Sequence, residues 1–123
     1  MRTRTQKAAI SKLASFIEKE EYDFDMEEAI VNPKCGSAGC IGGHAAMLWK
    51  GIRATRGGHY FTWDDEKLAN KLGLSFKEHE LLCFTPLDSE NNHIYLGDID
   101  RTMAVATLRR LATGDGEIFF EKV

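Results

Sequence analysis

Residues 62–84 read TWDDEKLANKLGLSFKEHELLCF and contain the start and stop signals of two consecutive helices. Thr62 precedes three acidic residues and is predicted to cap the first helix, whose acidic first turn complements the helix dipole. Gly73 is predicted to end that helix, because glycine adopts the left-handed conformation at low cost. Ser75 and Glu78 have the spacing of a capping box and begin the second helix. The stretch predicts an ordinary αα corner rather than a DNA-binding helix-turn-helix, since acids on the second helix would repel phosphates.

The spacing of apolar residues predicts three more helices outside this corner. They cover residues 5–19, residues from Ser37 to about Lys50, and residues from Asp98 or Asp100 to about Ala112. The positions predicted to be buried in the first and last of these helices are Ile10, Leu13, Ala14, Ile17, Met103, Ala104, Leu108 and Leu111. Residues 51–61 are predicted to be a loop ending in a short strand at 59–61, and residues 117–123 an edge strand. The predicted fold class is mainly α, a single compact domain of about five helices over residues 1–123 with a short β-hairpin or edge strands.

Length and composition are typical of a cytoplasmic globular protein. The 123 residues suffice for one domain, and 43% of them are hydrophobic. The longest apolar run, Ala45–Trp49, has five residues, whereas a membrane span needs about 20. The N-terminal stretch lacks the continuous apolar region of a secretory signal. Three cysteines are an odd number for a disulfide framework, so we predict a cytoplasmic protein. The short apolar runs predict that it has no membrane partner, and we also predict that it has no cofactor.

The net charge of −3 conceals large blocks of opposite sign. The blocks are residues 1–19 at +4, 20–28 at −6, 29–63 at +4, 64–100 at −6 and 101–123 at +1. Such blocks can create local fields that the total charge does not show, provided that folding keeps them on separate surfaces. A net charge near neutrality therefore does not exclude an anionic partner.

The most unusual stretch is CGSAGCIGGHA, residues 35–45, which holds two cysteines, four glycines and a histidine. Glycine inside a helix costs about 1 kcal/mol relative to alanine, so the close approach of another backbone or a ligand is the usual reason for it. One interpretation is a tightly packed helix start in which the cysteines act as small hydrophobic residues. His44 is then an ordinary core or surface histidine.

Three chemical alternatives stay open for the same stretch. A metal site would use Cys35, Cys40 and His44, although structural zinc needs a fourth ligand. Cys35 and Cys40 also have a spacing that allows a disulfide, which a reducing compartment disfavours. A catalytic thiol would be Cys35 or Cys40 at a helix N-terminus, where the pKa of a thiol falls, with help from His44 or His59.

The chain resembles a family of small bacterial and phage proteins that has no established activity. The family pattern is an FDM-like stretch, a CGTxxCxxG motif followed by His or Trp and Ala, an A-x-x-LGL piece, an E-x-x-LF-like piece and a closing helix. The matching positions are Phe24–Met26, Cys35–Ala45, Ala69–Leu74, Glu80–Phe84 and Asp100–Leu111. The resemblance covers about residues 22–113, with Ser37 in place of the usual threonine. It implies a bacterial or phage source and, because tryptophan is frequent at the position of His44, a packing role for that residue.

A second candidate site is the basic stretch that follows the cysteine motif. Its predicted binding residues are Lys50, Arg53, Arg56, His59 and Tyr60. Cations contact phosphates and aromatic rings stack on bases, so this combination is typical of nucleic-acid or other anion binding. Nucleic-acid binding is therefore the alternative function that the sequence predicts.

The preferred function is a non-enzymatic module that binds a protein partner. The acidic stretch 64–100, with a long loop around residues 90–93, offers a charged surface, and charge complementarity gives protein contacts their specificity. No phosphate-binding loop, no paired carboxylates at helical spacing and no Ser-His-Asp set in the sequence supports catalysis. It therefore favours a non-enzymatic role and leaves enzymatic activity open.

Overall fold

The computed structural model describes residues 2–28, 39–57, 60–114 and 117–122. Five α-helices and one antiparallel pair of strands lie in these ranges. In chain order they are α1 (Arg4–Glu18), α2 (Ile41–Leu48), β1 (Arg53–Gly57), β2 (Tyr60–Trp63), α3 (Asp65–Leu72), α4 (Phe76–Cys83) and α5 (Arg101–Thr113). The predicted mainly α domain of about five helices with a short hairpin is confirmed. No helix in the described ranges is long and apolar enough to cross a membrane.

The two longest helices, α1 and α5, pack against each other at the centre of the core. All eight positions predicted to be buried in them are buried. Thr3 and Gln6 form a capping box at the start of α1, and the side chain of Asp100 caps α5. The guanidinium of Arg101 donates to the carbonyls of Ile17 and Tyr22, at 2.5 and 2.8 Å. Local helix signals and this bridge together fix how the two helices meet.

The corner between α3 and α4 forms as predicted except at its first residue. Asp64, and not Thr62, caps α3, because the Asp64 carboxylate accepts a hydrogen bond from the backbone N–H of Lys67 at 3.0 Å. The prediction of Thr62 is wrong because that residue lies inside β2, where it is buried. Gly73 ends α3 in the left-handed region at φ +70°, and the Ser75 capping box begins α4. α4 ends at Cys83, next to the end that its sequence predicts.

The predicted loop at residues 51–61 is wrong at residues 53–57, which form β1, whereas the predicted short strand at its end is confirmed at Tyr60 and Phe61, which lie in β2. Arg53 pairs with Trp63 and Thr55 with Phe61, and the register is irregular after Thr55. β2 is YFTW, which has high strand propensity, but β1 is RATRG, which has little. The first strand therefore forms because a strongly apolar partner strand, packed on the core, offers it a ladder of hydrogen bonds.

The helix after the cysteine motif is shorter than predicted. α2 ends at Leu48, before the predicted Lys50, and its N-cap is Cys40. The prediction that Ser37 caps it is therefore wrong, and Ser37 itself lies outside the described residues.

The C-terminal segment closes the core without forming the predicted edge strand. Residues 117–122 are in no strand, so that prediction is wrong over the described part of the segment. Phe120 is fully buried, and its N–H donates to the carbonyl of Leu87 at 2.9 Å. The segment therefore contributes apolar side chains to the core and a hydrogen bond to the loop between α4 and α5.

Candidate functional site

Cys40 caps α2 with its sulfur. The Sγ atom accepts a hydrogen bond from the backbone N–H of Gly43 at 3.3 Å, and the residue is 1% exposed. Burial raises the pKa of the Cys40 thiol to about 11, and this outweighs the lowering by the backbone N–H groups at the helix start. The thiol is therefore protonated at neutral pH, whereas a nucleophilic cysteine needs the thiolate. Cys40 therefore acts as a buried helix cap and not as an activated thiol.

His44 lies one helical turn further on, inside the core. Its Nδ1 is 3.0 Å from the carbonyl of Cys40, and its ring contacts the rings of Phe16 and Phe24 at centroid distances of 6.0 and 5.6 Å. A carbonyl only accepts, so Nδ1 carries a proton. Burial lowers the pKa of His44, and the charge of Arg101 lowers it further. This arrangement supports the packing interpretation of His44.

One glycine of the motif, Gly42, has a packing explanation. A Cβ atom at this position would overlap the indole ring of Trp63, which reaches α2 from β2. The glycines predict the close approach of a backbone or a ligand. At Gly42 the group that approaches is the side chain of Trp63. A glycine is therefore required at position 42, because a large aromatic ring lies directly on the first turn of α2.

The structure describes the side chains of three of the five predicted binding residues. One of the three, Arg53, is already bound to other groups of the protein. Lys50 is exposed and Tyr60 is 52% exposed. Arg53 donates from Nε to the carbonyl of Ala46 at 2.7 Å and lies 4.1 Å above the centre of the Phe61 ring. The guanidinium of Arg53 therefore binds the C-terminal end of α2. The side chain of Arg56 and all of His59 lie outside the described residues.

A buried polar cluster joins the hairpin to the helical corner. The indole N–H of Trp63 donates to Nε2 of His79 at 3.2 Å, which places the His79 proton on Nδ1. A carboxylate oxygen of Asp65 lies 3.5 Å from the same Nε2. Burial lowers the pKa of His79, against the opposite influence of Asp65 and Glu80. The partner Trp63 explains why a buried histidine fits at this position of the corner.

A groove of about 380 Å³ lies between α3 and α4. Its floor is apolar and includes Ala69, Leu74 and His79, and its rim carries the carboxylates of Asp65 and Glu66. The ring of Phe76, which is 75% exposed, borders it. Sequence reasoning missed this surface, although an aromatic residue at the first position of a helix, between Ser75 and Lys77, is a visible signal.

The loop of residues 84–100, here called the acidic loop, connects α4 to α5 and borders two adjoining open grooves. It holds four acids and neither lysine nor arginine. The grooves measure about 1010 and 820 Å³ and share Ile94, Gly97 and Asp98. Their charged lining consists of Glu27, Asp88, Glu90, Asp98, Glu121 and Lys122. Tyr95 borders the smaller groove and is 84% exposed, the highest value among the large hydrophobic residues described.

The acidic loop is held in one conformation by its own hydrogen bonds. A carboxylate oxygen of Asp88 accepts from the N–H groups of Glu90 and Asn92 at 2.8 and 2.9 Å, which lowers the pKa of Asp88. The N–H of Ile94 donates to the carbonyl of Pro86 at 3.1 Å. Ile99 is buried and anchors the end of the loop in the core. Tyr95 is therefore exposed on an ordered support.

The described ranges contain no group of three or more His, Cys, Asp and Glu side chains placed to hold a metal ion. Cys40 and Cys83 are both buried and are free thiols. Cys35, the remaining residue of the predicted metal, disulfide and thiol sites, lies outside the described residues. The structure thus brings Cys40 and His44 together without a third ligand in the described part of the chain.

The chain matches no known protein family, no curated protein and no solved structure. The resemblance to the bacterial and phage family therefore stays a prediction, and the function rests on the geometry of the chain itself.

Proposed function

We propose that this chain is a non-enzymatic module that binds a protein partner through the acidic loop. The observation that carries the proposal is the 84% exposure of Tyr95 on a loop fixed by internal hydrogen bonds. Tyrosine is enriched at protein interfaces because its rigid ring covers a large area at a small entropic cost.

The order within the loop favours binding. A loop that is already fixed loses little conformational entropy when a partner arrives, so more of the contact energy appears as affinity. Asp88 supports this order by satisfying two backbone N–H groups at the tip of the loop. The surface is thus prepared for a contact before any partner is present.

The charge around Tyr95 defines the chemistry of the partner. Glu27 and Asp98 border the same groove as Tyr95, and three further carboxylates border the adjoining one. A partner that places lysine or arginine beside an apolar contact for the tyrosine ring complements this surface. Since most of these charges are exposed, binding should weaken as salt screens them.

Selection from a library of random peptides tests the proposal directly. Peptides selected on the wild-type protein should be rich in lysine and arginine and should lose about tenfold or more in affinity for Tyr95→Ala. The matched control is Tyr60→Ala, which removes an exposed tyrosine from the hairpin and should leave the affinity unchanged. Peptides that bind Tyr95→Ala as tightly as the wild type would overturn the proposal.

Nucleic-acid binding through the basic stretch has less support from the geometry. Arg53, one of its three predicted cations, is directed at the carbonyls of α2 and the ring of Phe61. An electrophoretic mobility shift on short DNA and RNA at about 50 mM salt, where phosphate contacts are strong, decides between the two functions. A shift that disappears in Lys50→Glu would favour the nucleic acid.

A further inference from the structure

The groove between α3 and α4 selects for an apolar group with an adjacent cation. Its floor is formed by Ala69, Leu74 and the neutral ring of His79, and its volume of about 380 Å³ is large enough for an aromatic side chain. Asp65 and Glu66 provide negative charge at the rim, and neither lysine nor arginine is among the described lining residues. An uncharged floor with an acidic rim favours a hydrophobic residue next to lysine or arginine.

The chain itself carries such a pair beside the groove. Four large hydrophobic residues are exposed in the described part of the chain, namely Tyr60, Phe76, Phe84 and Tyr95. Phe76 is the one followed directly by a cation, and both Phe76 and Lys77 are exposed at the start of α4. The ring of Phe76 borders its own groove while three quarters of the residue remain in solvent.

We propose that two copies of this chain form a symmetric homodimer through the α3–α4 grooves. Phe76 of each copy packs over the groove of the other copy, and Lys77 of each copy pairs with Glu66 at the opposite rim. In an interface with twofold symmetry the same residue pair occurs twice, so one anchor and one groove per chain satisfy both halves. None of these residues lines the groove of Tyr95, so the dimer contact and the proposed partner contact use different side chains.

The small size of the contact sets the strength of this dimer. An aromatic side chain buries about 150–250 Å², and two of them with their surroundings stay below the roughly 1,200 Å² of stable complexes. We therefore expect a reversible dimer with a dissociation constant of about 10–1000 µM. The dimer forms in concentrated solution and is lost on dilution.

Sedimentation equilibrium of the purified full-length chain over about 20 µM to 1 mM tests the proposal. The weight-average mass of the wild type should rise with concentration from that of one chain towards that of two. Phe76→Ser should weaken association about tenfold or more. Because Phe76 is mostly exposed, the variant should fold normally, which far-UV circular dichroism checks. A wild type that stays monomeric throughout, or association unchanged in Phe76→Ser, would overturn the dimer.

A charge exchange tests the pairing of Lys77 with Glu66. Lys77→Glu and Glu66→Lys should each weaken association, because each places like charges at the rim, and the double variant should restore it. Lys50→Glu is the matched control for charge reversal on an exposed residue, and Tyr95→Ala is the matched control for loss of an exposed aromatic ring. Both controls should associate like the wild type. A double variant that associates no better than the single ones would refute the pairing.

Discussion

The start of α2 is unusual in sequence but buried in the structure, whereas the acidic loop is less unusual in sequence but exposed in the structure. The start of α2 has the most unusual composition in the chain, and Cys40 and His44 are both buried there. The acidic loop is distinguished in the sequence by its charge, and it presents the most exposed aromatic residue described. The unusual sequence around Gly42 reflects close packing, whereas the exposure of Tyr95 within the acidic stretch is visible only after folding. Mutations at the start of α2 should therefore change the stability of the fold, whereas mutations in the acidic loop should change partner binding.

The largest expected effect is on stability, from Gly42→Val. The added side chain overlaps the ring of Trp63, so we expect the free energy of unfolding to fall by about 3 kcal/mol. Gly51→Ala is the control, because no atom lies within 4 Å of a Cβ atom placed there, and a change of about 0.5 kcal/mol or less is expected. Chemical denaturation measures both. Equal stability of the two variants would mean that the ring of Trp63 does not rest on α2.

Acid should destabilise the fold through the two buried histidines. Both have a pKa below the ordinary value of 6.5, so the unfolded chain binds protons that the folded chain does not. The free energy of unfolding should therefore fall as the pH drops from about 7 to about 5. Denaturation at a series of pH values checks this, and His79→Gln should reduce the slope. A stability that rises towards pH 5 would show that the histidines gain protons on folding.

Loss of the sulfur cap should have a smaller effect. Cys40→Ala leaves the N–H of Gly43 without its acceptor, and we expect a loss of about 1 kcal/mol in the free energy of unfolding. Cys40→Ser keeps an acceptor and should lose less. In the native wild type, iodoacetamide should modify Cys40 slowly at pH 8, because its thiol has a pKa of about 11 and is buried. Fast modification followed by mass spectrometry would identify an activated thiol instead.

The smallest stability effect belongs to the acidic loop. Tyr95→Ala removes a side chain that is almost entirely in solvent, so the free energy of unfolding should change by about 0.5 kcal/mol or less. The same variant should lose the binding of selected basic peptides. Thermal unfolding and peptide affinity, measured on one preparation, give the comparison. A large loss of stability would mean that Tyr95 supports the fold and is not a contact residue.

The helices are predictable because their signals are local. In α1 and α5 the buried positions repeat at helical spacing, and the Ser75 capping box lies within four residues. The hairpin is not predictable to the same degree, because β1 has little strand propensity and forms only against β2. The prediction of the cap residue of α3 is wrong for the same reason. Thr62 and Asp64 are both good caps, and the extent of β2 decides between them.

In the candidate sites, too, some features are visible in the sequence and others depend on tertiary contacts. The cysteine-glycine-histidine motif is visible in the sequence, but the ring of Trp63 against Gly42 and the raised pKa of Cys40 depend on residues that are distant in the chain. Arg53 looked like a phosphate ligand, and its contact with the end of α2 requires the hairpin to fold back. Phe76 and Tyr95 are ordinary aromatic residues in the sequence, and their exposure marks them as contact residues.

The mainly α class, the extents of α1, α4 and α5 to within a few residues, and the Gly73 stop and Ser75 capping box of the corner follow from local sequence. These features depend on backbone hydrogen bonds and apolar spacing within one helix, which neighbouring residues control. Which polar groups are buried, which cations are engaged and which aromatic rings face solvent depends on the packing of the whole chain. Burial and electrostatic environment arise from residues far apart in the chain, so they exist only once the helices and the hairpin have packed.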